Sequence, residues 1–395
     1  MRRREQILFD RLYQRAKRIQ RRWLIADYED LRLRERWLRP DPAGRFEEIV
    51  LPVAPDLDAI RSVLIYKPDE IGDAVYALPA VVELRRHLPD ASFSLLARRL
   101  SEPLYQRSAL FDEIAVVEGS WGRPSPFHVA RAARQLSRRE FDLAIFLRTN
   151  QAGFRSFMRI PARVRVHPLD PRLRSTSPYQ APVSRWGDMR AHQTIQHLEI
   201  VSTVTRRQYA LEDVRFPELQ WIKDDFRAHE VVFAETPPPA YLVVHPFAKE
   251  ETRRYPEEYW PPVLAGLRES LGLPMVVVGG AGDPRLTGMP ELIQTQGELS
   301  LMQTAYLLSR ASGFVGNLSG PAHLSAALGR PTVTLMSGNS LPVEWAPLGD
   351  SLVIRADVPC SPCHRSVCPG YGLACLKALT PDRVLSEAVR FLDRP

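Results

Sequence analysis

Several things are missing from this 395-residue chain, and each absence narrows what it can be. No apolar run approaches the roughly 18 residues that a membrane-spanning helix needs. The first residues, MRRREQILFDRLYQRAKRIQRRW, lack the apolar stretch of a secretory leader, so the expectation is a cytoplasmic protein. Cysteine is scarce: all four, Cys360, Cys363, Cys368 and Cys375, fall within sixteen residues, which excludes a disulfide framework spread over the fold. There is no low-complexity tract and no repeat of solenoid period, and the 35 prolines are scattered. GxGxxG is absent, and no Tyr-x-x-x-Lys pair is in place within residues 61–395, which disfavours a nucleotide-sugar epimerase or dehydrogenase. Outside one end, the chain also lacks a charge surplus. Residues 1–22 carry nine Arg or Lys against two acids, a surplus equal to the formal +7 of the whole chain. A balanced body argues against a broad nucleic-acid-binding face.

What is present reads as a globular α/β protein, 45% apolar and 25% charged. Residues 1–60 form a basic helical extension and linker. Leu8, Leu12, Ile19 and Trp23 fall on one helical face among arginines, which suits an interfacial helix on anionic lipid or a helix packed on the body. Residues 1–40 are expected to be helical and the proline-rich 40–60 to be linker. From 62 onward short apolar runs alternate with helical stretches: SVLIY, SFSLLA, EIAVVE and DLAIFL in residues 61–225. DVRFPELQWIKDDFRAHEV reads as a connection. The alternation restarts in 226–395 with YLVVHP, PMVVVGG, GFVGN and PTVTLMSG. The pattern predicts two doubly wound, Rossmann-like domains, whose ligands bind at the carboxyl ends of strands.

Chemistry concentrates where strands hand over to helices. In GNLSGPAHLSAALGRP (316–331) a strand ends at Asn317, and Ser319, Gly320 and Pro321 open a helix with no acid nearby. Bare N–H groups and the positive dipole end make a seat for an anion, with Gly320 admitting a phosphate and Ser319 and His323 as added donors. The plainer alternative is Ser319 as an ordinary helix cap. In YKPDEIGDAVYALPA, Gly72 and Asp73 sit at the corresponding point of the first domain. Asp73 is either an N-cap or a carboxylate base, Asp69 and Glu70 are its neighbours, and Lys67 at the strand end orients an acid or faces solvent. VVVGGAGDP places Gly280 and Asp283 after a strand, where an acid can accept from ribose hydroxyls. HPFAKEETRRYPEEYW places Lys249, Arg253 and Arg254 in a loop where cations suit a diphosphate or are surface charge. The cysteines, C-x2-C-x4-C-x6-C, are a candidate structural zinc or iron site or four reduced thiols.

Together these stretches, with FDLAIFLRTNQAGFRSFMRIPARVRV and SLMQTAYLLSRASGFVGNLSGPAHLSAALGRPTVTL, resemble glycosyltransferase family 9, the heptosyltransferases of lipopolysaccharide core assembly, over about residues 62–392. The resemblance implies a GT-B fold of two Rossmann-like domains around a cleft. It implies transfer of a heptose from an ADP-sugar to a lipid-linked acceptor, with inversion and with no metal or other cofactor required for catalysis. It places Asp73 as catalytic base, Lys67 and Gly72 on the acceptor side, and Lys249, Arg253, Gly280, Asp283, Asn317, Ser319, Gly320 and His323 around the donor. It also gives the cysteine cluster a structural role. The implied partners are a nucleotide-sugar, a lipid-linked glycan and a membrane surface met through residues 1–40, with no nucleic acid. Three residues depart from the pattern: Leu318 where an acid is usual, Arg253 where a lysine is, and Phe247 where a glycine is. Leu318 motivates the other reading, a catalytically inactive homologue that binds sugar-nucleotide and scaffolds glycan assembly.

Overall fold

The computed structural model describes residues 36–40, 46–50, 56–118, 126–136, 140–147, 151–168, 180–181, 192–233, 238–368 and 370–394. They fall into two units that part between Gln220 and Trp221.

The first unit opens on a hairpin. Strands β1 (Arg36–Pro40) and β2 (Phe46–Val50) pair antiparallel, with Arg36 opposite Val50 and Pro40 opposite Phe46. This corrects the expected helix through residue 40 and the expected linker from 40 to 60. Pro40 and Pro42 cannot continue a helix, Pro-Asp-Pro-Ala-Gly is turn chemistry, and Trp37, Ile49 and Val50 favour extended backbone. The remainder of the expected helix, residues 1–35, lies outside the described residues.

The alternation then follows as β3 (Ser62–Lys67), α1 (Ile71–His87), β4 (Ser92–Ala97), α2 (Glu102–Arg107), β5 (Glu113–Val116), α3 (Pro126–Ala133), β6 (Phe141–Phe146), α4 (Gln151–Phe157), β7 (Ala162–Pro168), β8 (Gln180–Ala181) and α5 (Gln193–Thr205). The sheet is all parallel, in the order β5-β4-β3-β6-β7-β8. Every residue of β3 is buried, which is why SVLIY reads as an unbroken apolar run rather than an alternating one. Its side chains Leu64 and Tyr66 join Phe146, Phe154 and Phe157 in the core.

The second unit runs α6 (Lys223–Val232), β9 (Leu242–His245), α7 (Trp260–Leu271), β10 (Met275–Val277), β11 (Ile293–Gln294), α8 (Leu301–Arg310), β12 (Gly313–Asn317), α9 (Gly320–Ala327), β13 (Thr332–Met336), α10 (Pro342–Trp345), β14 (Ser351–Arg355), α11 (Ala374–Lys377) and α12 (Pro381–Leu392). Part of the expected connection is therefore helix. Asp225 folds back to accept from the Ile222 N–H, closing the first turn of α6. Aromatic contacts of Trp221 and Phe226 with Tyr306 tie this segment to α8. The sheet is again all parallel, in the order β11-β10-β9-β12-β13-β14. At the chain end, Thr380 caps α12 at the Arg383 N–H, and Val384 and Ala388 are buried in the second core.

Both sheets have one topology: counted along each unit, the strands lie in the order 3-2-1-4-5-6, the doubly wound Rossmann arrangement. The order reverses between β3 and β6 in one unit and between β9 and β12 in the other. Such switch points open a crevice at the strands' carboxyl ends, so Lys67, His245 and Asn317 stand at the places where this fold binds ligands. Among the described residues no helix is long and apolar enough to cross a membrane.

Candidate active site

In the first unit β3 delivers Lys67 into a nearly dry position, 3% exposed. An ammonium there needs partners. Its Nζ lies 2.8 Å from Asp69 Oδ2 and donates to His197 Nε2 at 3.2 Å. Because an ammonium can only donate, Nε2 must accept. The proton of the neutral ring is then on Nδ1, which donates to the Tyr76 carbonyl at 3.2 Å. Burial, then the Lys67 charge, pull His197 down to about 3, so it is neutral at physiological pH. The loop between Lys67 and α1 is also held from the other side. Ser101 Oγ donates to the Asp69 carbonyl at 3.1 Å, and Arg98 pairs with Glu70 at 2.6 Å.

Glu70, not Asp73, takes the N-cap position of α1, and it makes no side-chain cap bond. The N-cap reading of Asp73 is corrected accordingly. Asp73 lies two residues beyond the first helical position, half-buried, with Gly72 beside it. A carboxylate is well placed at a helix N-terminus. The fully buried Tyr105 phenol is held well above its ordinary value by burial first, then by the charges of Asp69 and Asp73, so both carboxylates act on one ring.

In the second unit β9 ends at the buried His245, whose Nδ1 lies 3.0 Å from Ser319 Oγ. Ser319 takes the N-cap position of α9 in extended backbone, but its hydroxyl makes no cap bond. The plain-cap alternative is corrected: the hydroxyl serves His245, and the first turn of α9 has neither a side-chain cap nor an acid. Burial holds His245 down at about 4, partly opposed by the Asp283 carboxylate. Asp283 closes its own turn by accepting from the Gly280 N–H at 2.7 Å. Gly316 lets β12 lie close to β9, since a Cβ there would meet the His245 carbonyl at 2.5 Å.

The other expected donor residues divide. Asn317 is fully buried and its amide is engaged within the protein: Oδ1 accepts from the Tyr255 N–H at 3.2 Å and Nδ2 donates to the Pro246 carbonyl at 2.6 Å. It fastens the loop after β9 to the end of β12. Lys249 is exposed, and Arg253 is half-buried with its Nε 3.2 Å from Glu250 Oε2. Arg254 donates to the Ala248 and Lys249 carbonyls and so shapes that loop. His323 is buried in the first turn of α9. Leu318 is 5% exposed, and its N–H donates to the Leu335 carbonyl. Phe247 is buried in the second core and meets the His245 ring edge-on at 5.7 Å. Sequence reading had given no role to His197, Tyr105 or His245. A lone His or Tyr carries no periodic signal, and only the partner across the sheet reveals its use.

All four cysteines line one small cavity with Thr252, Gly338 and Asn339. Burial pushes the Cys363 thiol up, and Cys360 and Cys375 add to the shift. Four sulfurs around one hollow are suitable donors for zinc or iron. As placed, however, no three His, Cys, Asp or Glu groups among the described residues could hold a metal ion. No chemistry of the reaction is routed through a metal there. The cysteine loop is fastened to the unit by polar contacts: Thr252 Oγ1 donates to the Arg365 carbonyl at 2.5 Å, and the Cys363 N–H donates to the Gly338 carbonyl at 2.9 Å.

Comparisons with known proteins agree with this architecture. The chain is 26% identical over 329 residues to lipopolysaccharide heptosyltransferase 1 of Pseudomonas aeruginosa, covering 78% of this chain and 87% of that one. It is 20% identical over 342 residues to lipooligosaccharide heptosyltransferase 2 of Campylobacter jejuni, covering 84% and 98%. Among solved structures, the family 9 glycosyl transferase of Veillonella parvula superposes with a TM-score of 0.70 at 17% identity, covering 86% and 99% of the two chains. The ADP-heptose heptosyltransferase II of E. coli superposes at 0.64 and 19%, covering 84% and 98%. The iron-containing dodecameric glycosyltransferase TibC of enterotoxigenic E. coli superposes at 0.54 and 15%, covering 89% and 79%. The fold of two Rossmann-like units is thus the GT-B fold of these proteins. The family description glycosyltransferase family 9 (heptosyltransferase) matches residues 129–373, more than half of the chain, and the protein belongs to that family.

Proposed function

We propose that this glycosyltransferase moves a heptose from an ADP-sugar to a lipid-linked glycan of the lipopolysaccharide-core type, with inversion at the anomeric carbon. The observation that carries the reading is the start of α9, a helix N-terminus with no side-chain cap bond and no acid, where the half-buried Ser319 meets the buried His245. Backbone N–H groups at a helix start and its positive dipole end suit a diphosphate. The relatives are heptosyltransferases, one of them named for ADP-heptose, and this is the matching substrate class.

In this reading Asp73 takes the proton of the acceptor hydroxyl while that oxygen attacks the anomeric carbon. The bond from that carbon to the diphosphate breaks, and ADP leaves with the electron pair. Negative charge grows on the leaving diphosphate, where the α9 N–H groups and Ser319 act, with Lys249 and Arg253 from the loop after β9. Fixed donors count most where charge develops in the transition state. Asp283 and Gly280 serve the nucleoside. Lys67 and Gly72 lie on the acceptor side. The Leu318 side chain is buried and apolar, so sugar hydroxyls are gripped by other groups.

The deciding experiment is ADP release from ADP-heptose with a truncated lipopolysaccharide-core acceptor. Wild type turns over, and Asp73→Asn lowers kcat by about 10²- to 10⁴-fold, the usual worth of a positioned base, while ADP binding stays within twofold. Tight ADP binding without turnover on any acceptor favours the scaffolding reading instead. The basic segment 1–35 supplies the contact with anionic lipid in this reading, so its deletion abolishes sedimentation with phosphatidylglycerol vesicles. Zinc or iron at the cysteines is a structural addition to this reading, measured by elemental analysis of the purified protein.

A further inference from the structure

The buried cluster behind Asp73 is more elaborate than the packing of a strand end requires. Lys67, Asp69 and His197 are all nearly dry, and they come from β3, the loop after it, and α5. A cheaper core would be apolar, since replacing a buried ion pair by hydrophobic residues is often neutral or stabilising. What the cluster does provide is direction. Lys67 donates to Asp69 at 2.8 Å and to His197 at 3.2 Å, and His197 donates onward to the Tyr76 carbonyl, three residues past Asp73 in α1. The imidazole thus bridges the end of β3 to the first turns of α1. The charges of Asp69, held by Lys67, and of Asp73 both bear on the Tyr105 phenol. The Tyr105 hydroxyl itself is buried and has no hydrogen-bond partner among the described residues.

We propose that the Lys67–Asp69–His197 network positions Asp73, with His197 as the positioning residue that locks β3 to the first turns of α1. This rests on the reading of Asp73 as the base. The chemistry is specific: an acceptor atom must stand where Nε2 stands, because an ammonium facing an apolar group there would pull Lys67 and Asp69 out of place. A shift of an ångström at a base is costly, because the proton it takes must lie within hydrogen-bond reach.

The test compares three variants of the full-length protein in the ADP-release assay. Glutamine at 197 extends an oxygen that can accept from Lys67. Asparagine is one carbon shorter and reaches only the Nδ1 level, and leucine offers no acceptor. His197→Gln keeps kcat within about threefold of wild type. His197→Asn and His197→Leu lower kcat by about 10- to 100-fold. Donor KM and ADP binding, measured by calorimetry, stay within twofold in all three. The Gln–Asn contrast keeps the test sound even if the leucine variant fails to fold, because the two amides are alike in polarity. Equal kcat in His197→Gln and His197→Asn overturns the proposal, as does a parallel rise in donor KM. Turnover that is indifferent to Asp73→Asn overturns instead the reading on which the proposal rests.

Discussion

The two strand-to-helix turns, after β3 and after β12, are built on one topology and have opposite electrostatics. The first turn carries its own negative charge. Glu70 stands at the N-cap of α1, Asp73 in its first turn, and a buried cation lies behind them, neutralised by Asp69. The second carries none: α9 starts without an acid and without a side-chain cap, and its N-cap hydroxyl is turned toward His245. A helix N-terminus is stabilised by an anion, its own or a bound one. In the first unit the protein supplies that anion. In the second the helix start has none of its own. In the proposed reading, one fold thus provides a base and an anion seat by the placing of a few acids.

The largest way to break this contrast after removal of the Asp73 carboxylate is to strand the cation behind it. Asp69→Ala leaves Lys67 buried beside a neutral imidazole, and we expect a loss of about 3–5 kcal/mol in urea unfolding. A loss below 1 kcal/mol shows that Lys67 reaches water and that the first turn is not the closed device described. Next, an acid can be given to the turn that lacks one. Gly320→Asp places a carboxylate at the first helical position of α9, and ADP binding weakens about 10- to 30-fold, or ~1–2 kcal/mol for a charge at a helix end. Calorimetry that finds affinity unchanged puts the diphosphate elsewhere. If the variant is also more stable than wild type without nucleotide, the contrast is sharpened, because the seat is then shown to be held open at a cost to the fold.

The contrast can also be tested through pH dependence. His197 at about 3 and His245 at about 4 both lie below the ordinary histidine value. Between those values and about 6.5 the unfolded chain binds the proton and the folded one does not. Stability from each is therefore complete above about 6.5 and is lost as pH falls, down to about 4 for His245 and about 3 for His197. Urea unfolding at successive pH values should lose less stability on acidification in His197→Gln and His245→Gln than in wild type. Below pH 4 only the His197 variant should differ in slope. Parallel slopes in all three proteins break the assignment of these two rings as buried neutral groups.

The features legible in the sequence were the local ones. SVLIY, SFSLLA and PTVTL announce buried parallel strands because both faces of such strands are covered. The short strands β8 and β11 were not legible, because two residues hold no period. The hairpin of β1 and β2 was hidden under arginines that also suit a helix, and pairing settled it. At the candidate site, Asp73 and Ser319 are singled out by their positions just after strand ends. The use of Asn317 as a fastening for the loop after β9 could not be, since its partners are Pro246 and Tyr255, more than sixty positions earlier.

By itself, then, the sequence determined that there are two doubly wound units and where each strand hands over to a helix, since burial period and turn chemistry act over neighbouring residues. The tertiary structure decided which groups stand behind those turns. His197 meets Lys67 across 130 positions and Ser319 meets His245 across 74, contacts that exist only once the sheets are assembled. A buried charge or ring has its protonation set by what faces it in space, and that is information no local pattern holds.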